Sequence, residues 1–395
     1  LRTDPGNIGA ALAELEASAL RRERRVVESY PCAGDGTRVL VDGRLLRVFC
    51  SNDYLGLAQH PEVIAALHTV SAQFGAGSGA AHLVTGHSAP HQQLEAELAA
   101  YTGRERALLF STGYMANLGV LAAFAGRGET VLEDRLNHAS LIDGARLSGA
   151  RLLRYRHADV GNAALILAER SDCAVIATDG LFSMDGDVAP LRELAELAAR
   201  HRAWLLIDDA HGLGVLGASG RGSLEVAGLD ARAAPLLVGT LGKAFGCFGA
   251  FVAGDGAVIE LLLQRARTYT YTTALPPGIA AAASAALRVA QRESGRREQL
   301  KASIAQFRAG AIALKLPVTG SSSPIQPLLV GDASAALRLS RALYELGFWV
   351  TPIRPPTVPA GSARLRLTLS AAHSAADVDA LLAALERAWQ GEPSP

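Results

Sequence analysis

A lysine in a glycine-rich turn, an aspartate closing an apolar run and two histidines near strand ends are the residues of this chain with the clearest chemistry. Lys243 stands in TLGKAFG (240–246), just past the apolar run 236–238. An amine so placed can lose solvation, which lowers its pKa and makes it a nucleophile. Gly239, Gly242 and Gly246 permit a ligand close to the backbone, although a solvated loop lysine is the plainer reading. The segment is not a nucleotide P-loop: position 237 is not glycine, and Ala244 stands where serine or threonine is required. Asp208 closes AWLLID (203–208), where an open α/β sheet gathers its ligands. An aspartate there also serves turns and helix caps. His211 follows it, ahead of Gly212.

A third segment, FSTGYMAN (110–117), leads from an apolar run into a helical pattern. Amides exposed at a helix N-terminus, beside Ser111, Thr112 and Gly113, suit a phosphate. Tyr114 could cover an aromatic ring, and a plain helix cap explains the segment equally well. NHAS (137–140), with His138, and GLFSMDG (180–186) follow further strands. Together these supply an anion cup, a carboxylate, imidazoles and an amine, the set that pyridoxal 5′-phosphate (PLP) requires. A dinucleotide fold is disfavoured, because GAGSGA (75–80) lacks the last glycine of its fingerprint. His87 and His91 sit at i and i+4 without HExxH, so capping or surface roles suffice and no metal site is expected.

These groups need rigid elements to hold them. Helical spacing covers 7–28, with Leu12, Leu15 and Leu20 as apolar positions. Extended stretches at 38–41 and 45–49 are joined by Asp42-Gly43, a hairpin signal. Helices follow around Val63–Phe74 and Leu94–Tyr101, with another marked by Leu191, Leu194 and Leu197. Short apolar runs at 107–110, 131–132, 174–178, 204–207, 236–238 and 250–253 have the length of buried strands. The alternation predicts an α/β fold with a large, mostly parallel sheet. Beyond about residue 280 come an Ala-rich helix, a strand near 326–330, a helix over 333–346, extended segments at 348–350 and 364–369, and a last helix from about 374. The expected division is an N-terminal helix and hairpin segment (1–50), a large PLP-binding α/β domain (51–280) and a smaller C-terminal α+β domain (281–395).

Composition excludes several classes. Acidic and basic residues number 38 each among 395, so no global field exists to draw in nucleic acid. The run Arg21, Arg22, Arg24, Arg25 reads first as the solvated face of a helix and second as a phosphate site. Cys32, Cys50, Cys173 and Cys247 form no CxxC pair, as expected in a reducing compartment. No apolar run approaches the ~20 residues that span a bilayer, and no signal-peptide h-region opens the sequence. A soluble cytoplasmic protein without a membrane partner is expected.

The segments SNDYLGL (51–57), DRLNHASL (134–141), FSMDGDVAPL (182–191), DDAHGLGVLG (208–217), TLGKAFG (240–246), YTTALPP (271–277) and IRPPTVPAGSARLRLTLSAAH (353–373) carry a resemblance over nearly the whole chain. The sequence resembles the α-oxoamine synthases, a family of fold-type I, aspartate-aminotransferase-like PLP enzymes. The resemblance implies that Lys243 binds the cofactor's aldehyde covalently, that Asp208 pairs with the pyridine nitrogen, and that His211 bonds the ring oxygen. His138 would stack on the ring and meet the substrate. Gly113, Tyr114, Ser183 and Thr240 would lie at the cofactor. Thr272 would reach the phosphate held by a second copy, in a homodimer with shared active sites. Asn52 and Arg366 would receive the amino-acid carboxylate, with Arg354 nearby, and Thr357 and Arg24 would contact substrate. Segment 353–373 is most similar to members that condense L-alanine with a pimeloyl thioester, carried on CoA or on acyl carrier protein, in biotin synthesis. The branches typified by 2-amino-3-ketobutyrate CoA ligase, 5-aminolevulinate synthase and serine palmitoyltransferase are the alternative. A non-catalytic partner subunit would tolerate loss of Lys243, and its presence with Asp208 and both histidines argues against that class. Phe248 departs from the small residues common in relatives, and ESYPCAGDG (28–36) is not diagnostic.

Overall fold

Helix α1 (Ile8–Ala17) opens the computed structural model, which describes residues 7–32 and 34–390. It buries none of its side chains, and it stops well short of residue 28. The amides of Leu20 and Arg21 close on the Leu15 carbonyl, and Glu28 and Ser29 then pair with Leu40 through the backbone. The segment between has charged residues beside Val26-Val27, so it offers no apolar stripe to a helix, and its β-branched pair favours extended backbone. The arginine run is therefore not a helix face. The hairpin β1 (Arg38–Val41) and β2 (Arg44–Val48) follows as expected. Its turn residues Asp42 and Gly43 have φ of 52° and 69°, the pair of positive angles a type I′ turn demands.

Helices and strands then alternate: α2 (Pro61–Phe74), α3 (Ala89–Thr102), β3 (Arg106–Phe110), α4 (Gly113–Phe124), β4 (Thr130–Asp134), α5 (Ala139–Ser148), β5 (Arg151–Tyr155), α6 (Val160–Ala168) and β6 (Cys173–Asp179). After these come α7 (Leu191–His201), β7 (Trp204–Asp208), α8 (Ser223–Ala227), β8 (Leu236–Thr240), β9 (Ala250–Gly254), α9 (Gly256–Arg265), α10 (Arg267–Thr270) and α11 (Pro277–Arg292). The strands form a seven-stranded sheet in the order β3-β9-β8-β7-β6-β4-β5. Only β9 runs antiparallel to its neighbours. β5, RLLRY, lies at the edge; its arginines break the apolar run that marks a strand in sequence.

Side chains alternate across the sheet with a period of two. Val175, Ala177, Leu206, Leu236 and Val238 join one core with residues of α4, α5 and α9. Ile176, Leu205, Ile207 and Leu237 join the other with α6 and α7. The same alternation carries Asp179, Asp208 and Thr240, the last residues of β6, β7 and β8, to the α4 face.

The chain continues through α12 (Gly295–Ala313), β10 (Ile325–Gly331), α13 (Ala333–Glu345), β11 (Phe348–Trp349), β12 (Thr351–Ile353), β13 (Ala363–Thr368) and α14 (Ala375–Gln390). β10, β13 and β12 make an antiparallel sheet, and β11 pairs in parallel with β2. Contacts divide the chain into two compact units. One holds the chain up to Ser51, Met184–Gly186 and Glu298 onward, and the other holds Asn52–Ser183 with Asp187–Arg297. The excursion at 184–186 is fixed in the first unit: Ser321 Oγ donates to the Gly186 carbonyl at 2.9 Å and Arg364 Nη1 to Asp185 Oδ1 at 2.5 Å. Among the described residues, no helix is long and apolar enough to cross a membrane.

Candidate active site

Lys243 occupies a loop closed by its own backbone. Leu241 N donates to Gly249 O at 2.9 Å, Cys247 N to Leu241 O at 2.8 Å, and Gly246 N to Lys243 O at 2.8 Å. Gly246 has φ of 63°, and a Cβ there would fall 2.3 Å from the Ala58 nitrogen, so only glycine fits. Thr240 Oγ1 donates to Gly249 O at 3.1 Å and accepts from Gly242 N at 3.2 Å, stiffening the same loop. Lys243 Nζ lies 2.9 Å from His211 Nε2.

His211 is held from two sides. Its Nδ1 is 2.7 Å from the buried Tyr54 hydroxyl, which donates to Asn52 Oδ1 at 3.2 Å. Behind its loop lies Asp209, fully buried, accepting from Ser223 N at 2.7 Å. Burial pushes the Asp209 carboxyl up to about 7. A Cβ on Gly212 would stand 2.1 Å from Asp209 Oδ1, so the turn that aims His211 needs glycine.

Asp208 is fixed through both oxygens: Oδ1 accepts from Ala210 N at 3.0 Å and Oδ2 from Asn117 Nδ2 at 2.6 Å. Asn117 also donates to Ser140 Oγ at 2.8 Å, and that hydroxyl lies 2.7 Å from His138 Nδ1. His138 caps α5. Its imidazole is held below its ordinary pKa chiefly by burial, with the Asp208 charge opposing and the Lys243 charge adding. Asp208 ends β7 and Lys243 follows β8, the neighbouring strand in the sheet. Tyr54, Asn117, Ser140, Asp179 and Asp209 were not visible in the sequence as site residues.

The remaining candidates fall into both units. Gly113 starts α4; Thr112 Oγ1 accepts from Met115 N at 3.2 Å, and a Cβ on Gly113 would meet nothing within 4 Å. A helix leaves its first amides without internal acceptors, so this end can receive an anion. Tyr114 is partly exposed, with its hydroxyl donating to Asp143. Ser183 ends the β6 connection within the larger unit. Thr272 Oγ1 donates to Thr268 O at 2.5 Å. In the other unit, Arg366 is buried on β13, and Arg354 donates to the carbonyls of Ala19 and Arg21. Arg22 Nη2, not Arg24, reaches Thr357 Oγ1, at 3.2 Å, and Arg24 is exposed. His91 caps α3 through Ser88 and bonds the Leu275 carbonyl at 2.7 Å, so both its ring nitrogens are engaged.

The donor set fits PLP. A carboxylate stands at the end of β7, an amine at the end of β8 and an open helix N-terminus after β3, all at the carboxyl edge of parallel strands. Asn117 Oδ1 is buried with no partner among the described residues, a polar atom a bound group could satisfy. Residues 47–385 match the family model for aminotransferase class I and II. Curated relatives named 8-amino-7-oxononanoate synthase are 59% identical in Methylococcus capsulatus, over 95% of this chain and 96% of that one, and 59% identical in Thioalkalivibrio sulfidiphilus, over 96% of each. The chain belongs to the 8-amino-7-oxononanoate synthase family, within the class I and II aminotransferases. Solved structures agree. A serine palmitoyltransferase from S. paucimobilis with PLP–myriocin bound superposes with a TM-score of 0.92 at 30% identity, over 98% of this chain and 99% of that one. The 8-amino-7-oxononanoate synthase of Francisella tularensis gives 0.77 at 32%, over 87% and 98%. The fold is thus fold type I, as the resemblance implied, and the cofactor of the family is PLP.

On the α6–α7 side of the sheet, His157 is clamped between Asp134 Oδ1 at 2.9 Å and Asp187 Oδ2 at 2.8 Å. These hydrogen bonds push the imidazole up to about 10 from 6.5, against burial. A raised histidine stabilises the fold fully below its unfolded pKa, and the contribution fades as pH climbs through the folded value. Stability should therefore decline as pH rises from about 7 towards the folded value of about 10, by an amount that solvent screening of this part-exposed cluster reduces. Thermal melts of wild type and His157→Gln across that window check it; the variant should show a visibly flatter dependence.

Proposed function

We propose that the chain catalyses the decarboxylative condensation of L-alanine with a pimeloyl thioester, on CoA or acyl carrier protein, releasing 8-amino-7-oxononanoate, CO2 and the carrier thiol. The observation that carries this is 59% identity to enzymes of that name, supported by Lys243 Nζ 2.9 Å from His211 and by Asp208 linked to His138 through Asn117 and Ser140. A carbon–carbon bond forms between the α-carbon of alanine and the thioester carbonyl, the carbon–sulfur bond breaks, and the carboxylate then leaves as CO2.

When bound, PLP supplies an electron sink for the α-carbon. Lys243 Nζ is the base that moves the α-proton, and His211, braced by Tyr54, keeps the amine in place. Asp208 keeps a proton on the ring nitrogen, a fixed charge that needs no reorganisation during the reaction. His138 covers the ring face. Gly113, Tyr114, Ser183 and Thr240 hold the cofactor, and Asn52 and Arg366 receive the amino-acid carboxylate, the guanidinium by a bidentate grip. These roles, like a cytoplasmic homodimer in which Thr272 serves the neighbouring site, rest on the motif resemblance.

A cavity within the smaller unit supports a dicarboxylic acyl chain over a plain fatty one. It measures about 580 Å³ and is lined by Arg21, Arg22, Arg25, Arg338, Arg341 and Arg354, against only Glu16 and Glu23. Arg354 is held below its ordinary pKa by burial and then by the like charges of Arg22 and Arg341. Arg21 is paired with Glu16 at 3.0 Å and Arg25 with Asp42 at 3.6 Å, and a lining with this many arginines suits a terminal carboxylate. Arg354→Ala should raise KM for pimeloyl-CoA roughly tenfold, a charged hydrogen bond's worth, and leave KM for heptanoyl-CoA, which lacks the terminal carboxylate, within twofold. Equal effects on both would remove the cavity from acyl recognition.

The assignment is tested by incubating the holoenzyme with amino acids against acyl-CoAs and detecting amino ketones by mass. L-Alanine with pimeloyl-CoA should win. A preference for glycine or serine would favour the other α-oxoamine synthase branches instead.

A further inference from the structure

Asp179 has no part in the chemistry above, yet it sits inside the site. It ends β6 in register with Asp208 at the end of β7, so the two carboxyls project from neighbouring strands to the same face. Only 4% of its surface is exposed. Its Oδ2 accepts from the backbone amide of His138 at 3.0 Å. A separate clasp holds the neighbouring residue: Asp179 N donates to Asn137 Oδ1 at 3.1 Å, and Asn137 Nδ2 donates to Ala177 O at 2.8 Å. The β4–α5 connection is thus tied to β6 twice, once by main chain and Asn137, and once by the Asp179 side chain alone. His138 is bracketed in consequence. Asp179 grips its amide, and Asp208, through Asn117 and Ser140, steadies its ring.

We propose that Asp179 is a positioning residue, fixing the imidazole of His138 over the cofactor ring through its grip on the His138 amide, and acting as a hydrogen-bond acceptor rather than as a charge. This rests on the role given to His138 above. Two carboxylates side by side in a buried site repel, and one of them takes up a proton. Burial first, and then the Asp208 charge, push the Asp179 carboxyl well up, against the Lys243 charge and the His138 amide, so its neutral form is favoured. A neutral Asp179 still offers an oxygen to the amide. Asparagine is nearly the same shape, is neutral and keeps that oxygen; leucine keeps the volume and loses the acceptor.

Asp179→Asn and Asp179→Leu, purified with PLP, separate these possibilities. Asp179→Asn should match wild type within twofold in kcat, in PLP affinity by titration, and in the pH profile of the bound cofactor's absorbance. Asp179→Leu should lower kcat roughly tenfold or more, as small misplacements of a reacting geometry do, with KM for L-alanine little changed. It should weaken PLP binding, and speed hydrogen exchange in the peptide bearing the His138 amide roughly tenfold. The Asn137 clasp uses only the backbone of residue 179, so the fold should survive, and exchange elsewhere in the sheet reports on that. Should Asp179→Leu not fold, Asp179→Ala, which also lacks an acceptor, supplies the same comparison. A shifted pH profile in Asp179→Asn would overturn the proposal, as would damage equal to that of Asp179→Leu. So would faster exchange at His138 with an unchanged cofactor spectrum and kcat, an outcome that would also separate His138 from the ring. Loss of turnover with L-alanine alone, with spectra and exchange behaving as expected, would bear on the substrate assignment instead.

Discussion

Lys243→Ala is expected to abolish turnover while leaving the fold intact. The backbone bonds 241–249, 247–241 and 246–243 and those of Thr240 do not use the lysine side chain, so truncation leaves them in place while removing the contact with His211. What disappears is the base for the α-proton and the covalent anchor for the aldehyde. A positioned base alone is worth about 10²–10⁴-fold, and loss of covalent attachment adds to this. Steady-state turnover of L-alanine and pimeloyl-CoA should drop at least that far, with the melting temperature of the protein without cofactor within a few degrees of wild type. Retention of a tenth of the activity would place the base elsewhere.

Asp208→Asn should be the next most damaging change. It is nearly isosteric, so packing is preserved, yet it removes the fixed negative charge at the ring nitrogen. It also sets an amide against Asn117 Nδ2, now a donor facing a donor or a forced flip. Removal of one preorganised electrostatic partner typically costs about 10²–10³-fold in kcat. His138 would feel the change as well, since the Asp208 charge is what opposes the burial that lowers its pKa. The kcat of Asp208→Asn should therefore fall by about that factor while PLP still binds; Asp208→Glu should recover little, because Oδ1 and Oδ2 are both placed by short contacts. A variant with wild-type kcat would mean that another acid faces the ring.

The strand-borne part of this site was open to reading from sequence because each residue announces itself locally. Asp208 follows an apolar run that reads as a buried strand, and Lys243 lies among glycines, of which Gly239 and Gly246 turn out to be needed for close packing against Leu213, Phe251 and Ala58 rather than against a ligand. The residues that hold them were not open to reading. Tyr54 meets His211 across 157 positions and Asn117 meets Asp208 across 91; both stand inside the segments SNDYLGL and FSTGYMAN, but no local pattern says which side chain of each braces the site. The same limit applies to the N-terminal arginines. Spacing favoured a continuous helix, whereas the chain leaves the helix at Ala17 and brings Arg22 to Thr357; the resemblance had named Arg24 as the substrate contact. Local propensity there is weak, so pairing with β1 decides the backbone. β5 escaped for a related reason, since an edge strand needs only one buried flank and can carry arginines.

Borohydride reduction of the holoenzyme, followed by peptide mapping, tests most directly whether one PLP ring is held between Lys243 and Asp208. The reduced cofactor should be found as a pyridoxyl mass on the peptide containing Lys243, and the same treatment of Asp208→Asn should still label it. The chain's other lysines, Lys301 and Lys315, should remain unmodified. Label on either of those, or none at all in protein that has bound PLP, would contradict the site.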